Sequence, residues 1–447
     1  MCNRGSSMNA IVIRGVLVGA LAGLLFGFDT AVIAGTTGAL RQVYQLSPAW
    51  LGFTVSSALW GTLAGALLAG IPGNRFGARE CLKAIAMLYV VSAAGCALAW
   101  NWEALVTFRI LTGLAIGAST VLAPVYMTEI APPRWRGAMV GMFQFNITFG
   151  ILVAYLSNYL IGTLGLGADE WRWKFSIAFW PGAILFAMLF TIPNSPRWLA
   201  LKGRNEEARQ IFRRIAPEAS AGEEKAALNP PATSGADWRA NWTKYRKPIF
   251  LAVAIAAFNQ LAGINAILYY INDIFTAAGF SKTSSDLQSV MIGATNLLFT
   301  IPALYLIDRA GRKTLLLIGS VGLFITLVGT AAIMISGEHR NLLLWMLIGF
   351  IGSFAFSQGA VIWVYIAEVF PTEVRALGQS LGSSTHWVMD AIIVTYFPVV
   401  AAYSRGAPFL FFAAMVVLQF FIVFFFFPET KRAPLEDISA IVSAHST

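Results

Sequence analysis

Twelve apolar stretches, each long enough to cross a bilayer, fill this chain, and the motifs at their ends occur twice. In lipid every backbone polar group must be satisfied within the chain, so stretches of this kind can only become helices. RFGARECLK (Arg75 to Lys83) is echoed by RAGRKTLLL (Arg309 to Leu317), 234 residues on. TEIAPPRWRG (Thr128 to Gly137) returns as AEVFPTEVRA (Ala367 to Ala376), with Arg136 and Arg375 offset by 239. PNSPR, from Pro193, returns as PETKR, from Pro428, offset by 235. A near-constant offset marks an internal duplication, and two facing repeats with a midplane cavity are the plan of a transporter.

Hydrophobic residues make up 57% of the 447 and charged ones 12%, against about 25% charged in a soluble domain. The expected fold is all-α. Spans fall near 12–38, 49–70, 81–100, 104–127, 138–162 and 174–193, then near 248–275, 285–307, 314–335, 341–366, 374–401 and 407–427. This divides the chain into a six-helix bundle over 1–193, a basic cytoplasmic linker with short helices over 194–247, a second bundle over 248–427 and a tail over 428–447.

Charge sets the orientation. With the N-terminus in the cytoplasm, only Arg41, Arg172, Lys174, Lys282, Arg340 and Arg405 lie outside, and Arg109 lies within a span. The other 24 of 31 Lys and Arg lie inside, as the positive-inside rule requires. Both termini are expected to be cytoplasmic, and the net charge of +9 needs no nucleic acid to explain it. Three cysteines and three scattered histidines offer no metal spacing, and no phosphate-binding G-x-x-x-x-G-K-[ST] loop exists. Neither a cofactor nor ATP is expected.

Acids and bases recur at one membrane face: Glu129 with Arg136, and Glu368 with Arg375. Such a network can latch two halves together and open when broken. Asp29 lies well inside span 1, where a charge costs about 2.5–3.5 kcal/mol. Arg109 falls at similar depth in span 4 and is its expected partner. Motion that separates them would couple proton binding to conformation. Gln144, Asn259, Gln260, Asn265 and Asn296 lie within spans, and each amide offers donors and acceptors together. Gln260 and Asn265 are five apart, about 140° around a helix, and a broken or unwound span 7 would let both reach one cavity.

These motifs resemble the sugar porters of the major facilitator superfamily. The likeness rests on FGFDTAVIAG (Phe26–Gly35), PVYMTEIAPPRWRG (Pro124–Gly137), PNSPRWL (Pro193–Leu199), NQLAGINAILYY (Asn259–Tyr270), DRAGRK (Asp308–Lys313), WVYIAEVFPTEVR (Trp363–Arg375) and PETK (Pro428–Lys431). The chain is most similar to bacterial sugar–proton symporters of the xylose-transporter kind. The resemblance implies a twelve-helix fold in two pseudo-symmetric bundles. It implies Asp29 and Arg109 as the proton-coupling pair. It implies a sugar site of Phe26, Gln144, Asn259, Gln260, Asn265, Tyr269, Asn296, Gly359, Trp363, His386 and Trp387. It implies a cytoplasmic gate of Arg75, Glu129, Arg136, Arg197, Arg309, Glu368, Arg375 and Glu429.

The sequence departs from the family at Asn74, Ala78, Asn194 and Arg432 around the gate. In the site it departs at Asn259, at His386 and at Asp390, where an Asn is common. The substrate need not be xylose: a pentose, a hexose or a cyclic polyol fits. The expected activity is import of a sugar with a proton by a bilayer-embedded monomer in a bacterial cytoplasmic membrane, with no enzymatic step. The alternatives are a proton-independent facilitator and a transporter-like sensor. The short tail argues against the sensor.

Overall fold

The computed structural model describes residues 10–131, 136–217, 220, 222, 224, 228, 242–371 and 374–431. Among these residues every regular element is helical. The first half contains α1 (Ala10–Val32), α2 (Thr37–Val43), α3 (Pro48–Leu68), α4 (Gly70–Phe76), α5 (Ala78–Ala97), α6 (Trp102–Ile130), α7 (Arg136–Gly162), α8 (Glu170–Ser176) and α9 (Phe179–Met188). Two short linker helices follow, α10 (Pro196–Leu201) and α11 (Asn205–Ile215). The second half contains α12 (Trp242–Leu261), α13 (Ile264–Tyr269), α14 (Ile271–Ala277), α15 (Lys282–Ala310), α16 (Arg312–Ser336), α17 (Leu343–Phe356), α18 (Gln358–Val369), α19 (Arg375–Tyr403) and α20 (Ala407–Phe426).

Ten of the described helical segments are long and apolar enough to cross a membrane. The other two expected spans are the sixth, divided into α8 and α9, and the eighth, α15, 29 residues long. Linker residues 229–241 and the tail beyond 431 lie outside the described residues.

The helices gather into two compact units that do not follow the sequence halves. One holds Met1–Asp29, Gly61–Gly150 and Phe175–Ala232; the other holds Thr30–Trp60, Ile151–Lys174 and Thr233–Thr447. In the first, α3 and α6 cross on small residues: a Cβ on Gly117 would stand 1.9 Å from the Thr62 carbonyl oxygen. Where burial drives little association, as in lipid, such close approach is what holds helices together. In the second unit, first-half segments pack on second-half helices. Tyr155 donates to the Leu268 carbonyl at 2.7 Å, and Thr395 bonds Ser56 at 2.7 Å.

The repeated Arg-Gly loops share one backbone shape. Gly77 caps α5 at φ 87°, ψ 151°, and Gly311 caps α16 at φ 96°, ψ 155°, a region essentially closed to other residues.

The second unit also buries a charge chain beside α8. Lys174 is fully buried, 2.6 Å from Glu170 and 3.9 Å from Asp286, and it donates to the Gly35 carbonyl at 2.9 Å. Lys282 contacts the other Glu170 oxygen at 2.5 Å. Burial alone would raise the Glu170 pKa, but the bonds from Lys174 and Lys282 outweigh it and hold the carboxyl below its usual range. A carboxylate lowered on folding stabilises above its unfolded pKa, about 4.3. That stability is lost as pH falls through the folded value. Glu170→Gln is expected to cost about 3 kcal/mol, the low end for breaking a buried pair, since Asp286 remains near Lys174. Thermal unfolding of purified protein at pH 7 and pH 4 checks this: the gap between wild type and variant should shrink at the lower pH.

Candidate functional site: a buried ion pair and a polar pocket at a helix break

Two places collect polar groups inside the spans. The first is in the first unit. Arg109, on α6, is fully buried and donates from Nη1 to Asp29 Oδ1 at 2.8 Å. Asp29, near the end of α1, is itself 8% exposed. The Phe175 ring lies beside the guanidinium, 5.8 Å from its carbon. Each charge supplies the other's compensation where water cannot. Phe26, one turn before Asp29, packs against the apolar core of this unit. Gln144 on α7 is half-buried in the same unit.

The second place is in the second unit, where span 7 breaks. α12 ends at Leu261 and α13 begins at Ile264, with Gly263 between them at φ 87°. A Cβ there would stand 2.2 Å from the Phe412 ring, so the position demands glycine twice over. The break turns Gln260 and Asn265 toward one stripe of α19. Gln260 Nε2 lies 3.1 Å from His386 Nε2, and Asn265 Nδ2 donates to Asp390 Oδ2 at 2.8 Å. His386 and Asp390 are four apart, one above the other on a helix.

Around them, Trp363 and Trp387 flank the imidazole with ring centroids 5.0 and 5.1 Å away. Gln260 donates to Asn259 Oδ1 at 3.3 Å, and Asn259 to the Gln358 carbonyl at 3.4 Å. Gln358 in turn donates to Gln419 at 2.8 Å. Tyr269 ends α13 and is buried, as is Asn296 on α15. Gly359 opens α18 just after the kink at Ser357. Thus Asn259, Gln260, His386, Trp363 and Trp387 meet in one cluster, Asn265 bonds Asp390 one turn farther along α19, and Phe26 and Gln144 belong to the other unit.

Around the gate residues the described contacts bring in Arg312, which the expected set did not include. Glu368 accepts two bonds from Arg312, at 2.8 and 3.2 Å, and one from Thr430. Glu429 accepts from the backbone N–H groups of Arg312 and Lys313 and so caps α16. Glu129 is hydrogen-bonded by Ser195 and lies near Arg197. Arg75 and Arg309 are exposed and Arg375 is half-buried. The Arg136 side chain lies outside the described residues. Arg312, Gln358 and Gln419 were not singled out in the sequence as site or gate residues, and Asp390 was noted there only as a departure from the family. The DRAGRK motif did contain Arg312.

Repeated spans, a charge pair buried within them and an amide-lined break define a multi-pass membrane transport protein of the major facilitator fold. Comparison with known proteins fixes the family. Residues 15–442 match the family model described as sugar (and other) transporter. The arabinose-proton symporter of Bacillus subtilis is 34% identical over 448 residues, covering 98% of this chain and 96% of its own. The galactose-proton symporter of Escherichia coli is 33% identical over 97% of this chain and 95% of its own. The partially occluded inward-open structure of the xylose transporter XylE from E. coli superposes with a TM-score of 0.84 at 31% identity, over 95% of this chain and all of that one. The chain belongs to the sugar transporter family.

Proposed function

We propose that this protein imports a monosaccharide, a pentose or hexose, or a related polyol, together with a proton, by alternating access. The observation that carries the coupling is the Asp29–Arg109 pair: an acid inside the span, 2.8 Å from a fully buried guanidinium. In this reading a proton taken up by Asp29 weakens its hold on Arg109, and the two sequence bundles, 1–193 and 248–427, exchange access around the sugar. Curated relatives named as arabinose-, xylose- and galactose-proton symporters support it. The sugar site comprises Asn259, Gln260, Asn265, Tyr269, Asn296, Gly359, Trp363, His386 and Trp387, joined by Phe26 and Gln144. Twelve spans, cytoplasmic termini, a monomer in a bacterial cytoplasmic membrane and the eight gate residues complete the reading.

Proteoliposomes with an imposed proton gradient test it against a panel of sugars. Accumulation that vanishes when the gradient is collapsed supports symport; equal uptake with and without the gradient makes the protein a facilitator.

His386→Gln is expected to reorder the panel and not merely to lower every rate. Imidazole and carboxamide place their donors at different distances from α19, so a hydroxyl matched to one is mismatched to the other. Discrimination between epimers should move by about tenfold, as 1–3 kcal/mol per mismatched polar contact implies. Competition constants for several pentoses, hexoses and inositol check this. An unchanged order with uniform loss returns His386 to a structural role.

A further inference from the structure

Asp390 differs from Asp29 in one respect that physical chemistry does not let stand idle. It is fully buried at the midpoint of a 29-residue membrane helix. Its Oδ2 accepts from Asn265, but its Oδ1 is sealed from solvent and has no hydrogen-bond partner. Among the described residues no Lys or Arg lies within 4.0 Å of it, whereas Asp29 has Arg109 at 2.8 Å. A bare carboxylate so placed would cost several kcal/mol with nothing to offset it. A proton on Oδ1 removes that cost and converts the orphaned acceptor into an O–H donor one turn beyond His386.

We infer that Asp390 is a second proton-carrying acid, built into the sugar site, whose Oδ1–H donates to an oxygen of the bound sugar. This rests on the sugar–proton reading and deepens it. The proton sits on Oδ1 while the sugar is bound and is not the one carried across, so Asp29 remains the coupling group. No covalent bond of the sugar changes. Sugar then binds the protonated form preferentially, so affinity falls as pH rises and the carboxyl ionises.

Other titratable groups around α19 are few. Its own helix carries Arg375, His386, Tyr396 and Tyr403. Of the helices packed against it, α12 carries Lys244, Tyr245, Arg246 and Lys247 at its start, α13 carries Tyr269 with Tyr270 after it, and α18 carries Tyr365 and Glu368. α3 and α20 carry none. Arg41 and Asp273 lie farther along, where they line a cleft with Phe397 and Pro398. Of these only His386 stands within one turn of Asp390 on the same helix.

The test uses purified full-length protein in the Asp29→Asn background, which removes the first proton site. Sugar affinity is measured by calorimetry from pH 6 to 9 with the best-bound sugar of the panel. Affinity should fall on the alkaline side by up to tenfold per pH unit, should do so equally in Asp29→Asn/His386→Gln, and should be flat in Asp29→Asn/Asp390→Asn. Binding that is already flat in Asp29→Asn, or a slope that survives Asp390→Asn, overturns the proposal. If the Asp390 variant binds no sugar, infrared difference spectra of Asp29→Asn decide. A sugar-induced change in the protonated-carboxyl band supports the proposal, and no change overturns it. Glucosamine is the discriminating probe for the other chemistry. Were a protonated amine the partner, its affinity would rise toward neutral pH and Asp390→Asn would abolish its binding alone, which also overturns the proposal. No sugar binding in wild type sinks the symport reading itself, a result distinct from flat binding.

Discussion

Asp29→Asn is expected to reduce uphill sugar accumulation to background while counterflow continues. The amide oxygen still accepts from Arg109 across the 2.8 Å contact, so the geometry has reason to persist. What disappears is the ability to take up and release a proton. The driving force for accumulation is carried by that proton, so its loss is total, while exchange of sugar for sugar needs no net proton movement. A second effect accompanies it: Arg109, fully buried, loses its compensating charge. Removing one partner of a buried pair costs about 3–5 kcal/mol. The variant should therefore melt earlier than wild type. Adding Arg109→Gln to Asp29→Asn removes the orphaned charge and should recover much of that stability without recovering accumulation. Proteoliposome uptake, counterflow and thermal unfolding on the three proteins separate coupling from folding. An Asp29→Asn protein that still concentrates sugar under a proton gradient rules out Asp29 as the coupling group.

Gly263→Ala should lose sugar transport almost completely. An L-residue at φ 87° costs about 1–2 kcal/mol in backbone strain. The methyl group would also meet the Phe412 ring at 2.2 Å, and overpacking adds roughly 1–3 kcal/mol. Relief comes most easily by rotating α13, which moves Asn265 away from Asp390 and Tyr269 with it. Affinity should fall about a hundredfold or more. The clash and the strain are separable, because Gly263→Ala/Phe412→Ala removes only the clash. Partial recovery of binding in the double variant, measured by calorimetry, is the expected result. Wild-type affinity in Gly263→Ala would mean that the break does not position the amides.

What could be read from the sequence and what could not divide along physical lines. The long spans were legible because lipid imposes one solution on an apolar run. The Asp29–Arg109 contact was legible because charges inside spans are so few that they nearly name their partners. The break in span 7 was legible from the five-residue gap between Gln260 and Asn265, which a regular helix cannot bring to one face. The division of span 6 at Ile177–Ala178 was not, because an apolar run looks the same whether or not its backbone bonds are interrupted. The bond from Arg312 to Glu368 was missed for another reason. Arg309, Arg312 and Arg375 are chemically alike, and nothing in the sequence singles out Arg312. The same holds for Asn265 and Asp390, 125 positions apart. The two compact units also cut across the sequence repeats, because helix ends follow their neighbours in space and not their copies in the chain.

The polar cluster at the helix break is bonded to itself. Gln260 holds His386 and Asn259, Asn259 reaches Gln358, Gln358 holds Gln419, and Asn265 holds Asp390. In the proposed site, an entering sugar would trade protein–protein bonds for protein–sugar bonds, almost one for one. Each exchange would yield only a fraction of the roughly 1 kcal/mol that a new hydrogen bond contributes. Loose binding is the expected result of that wiring. For a carrier that is a working advantage, because a cargo gripped weakly is released quickly, and turnover rather than retention is what feeds a cell.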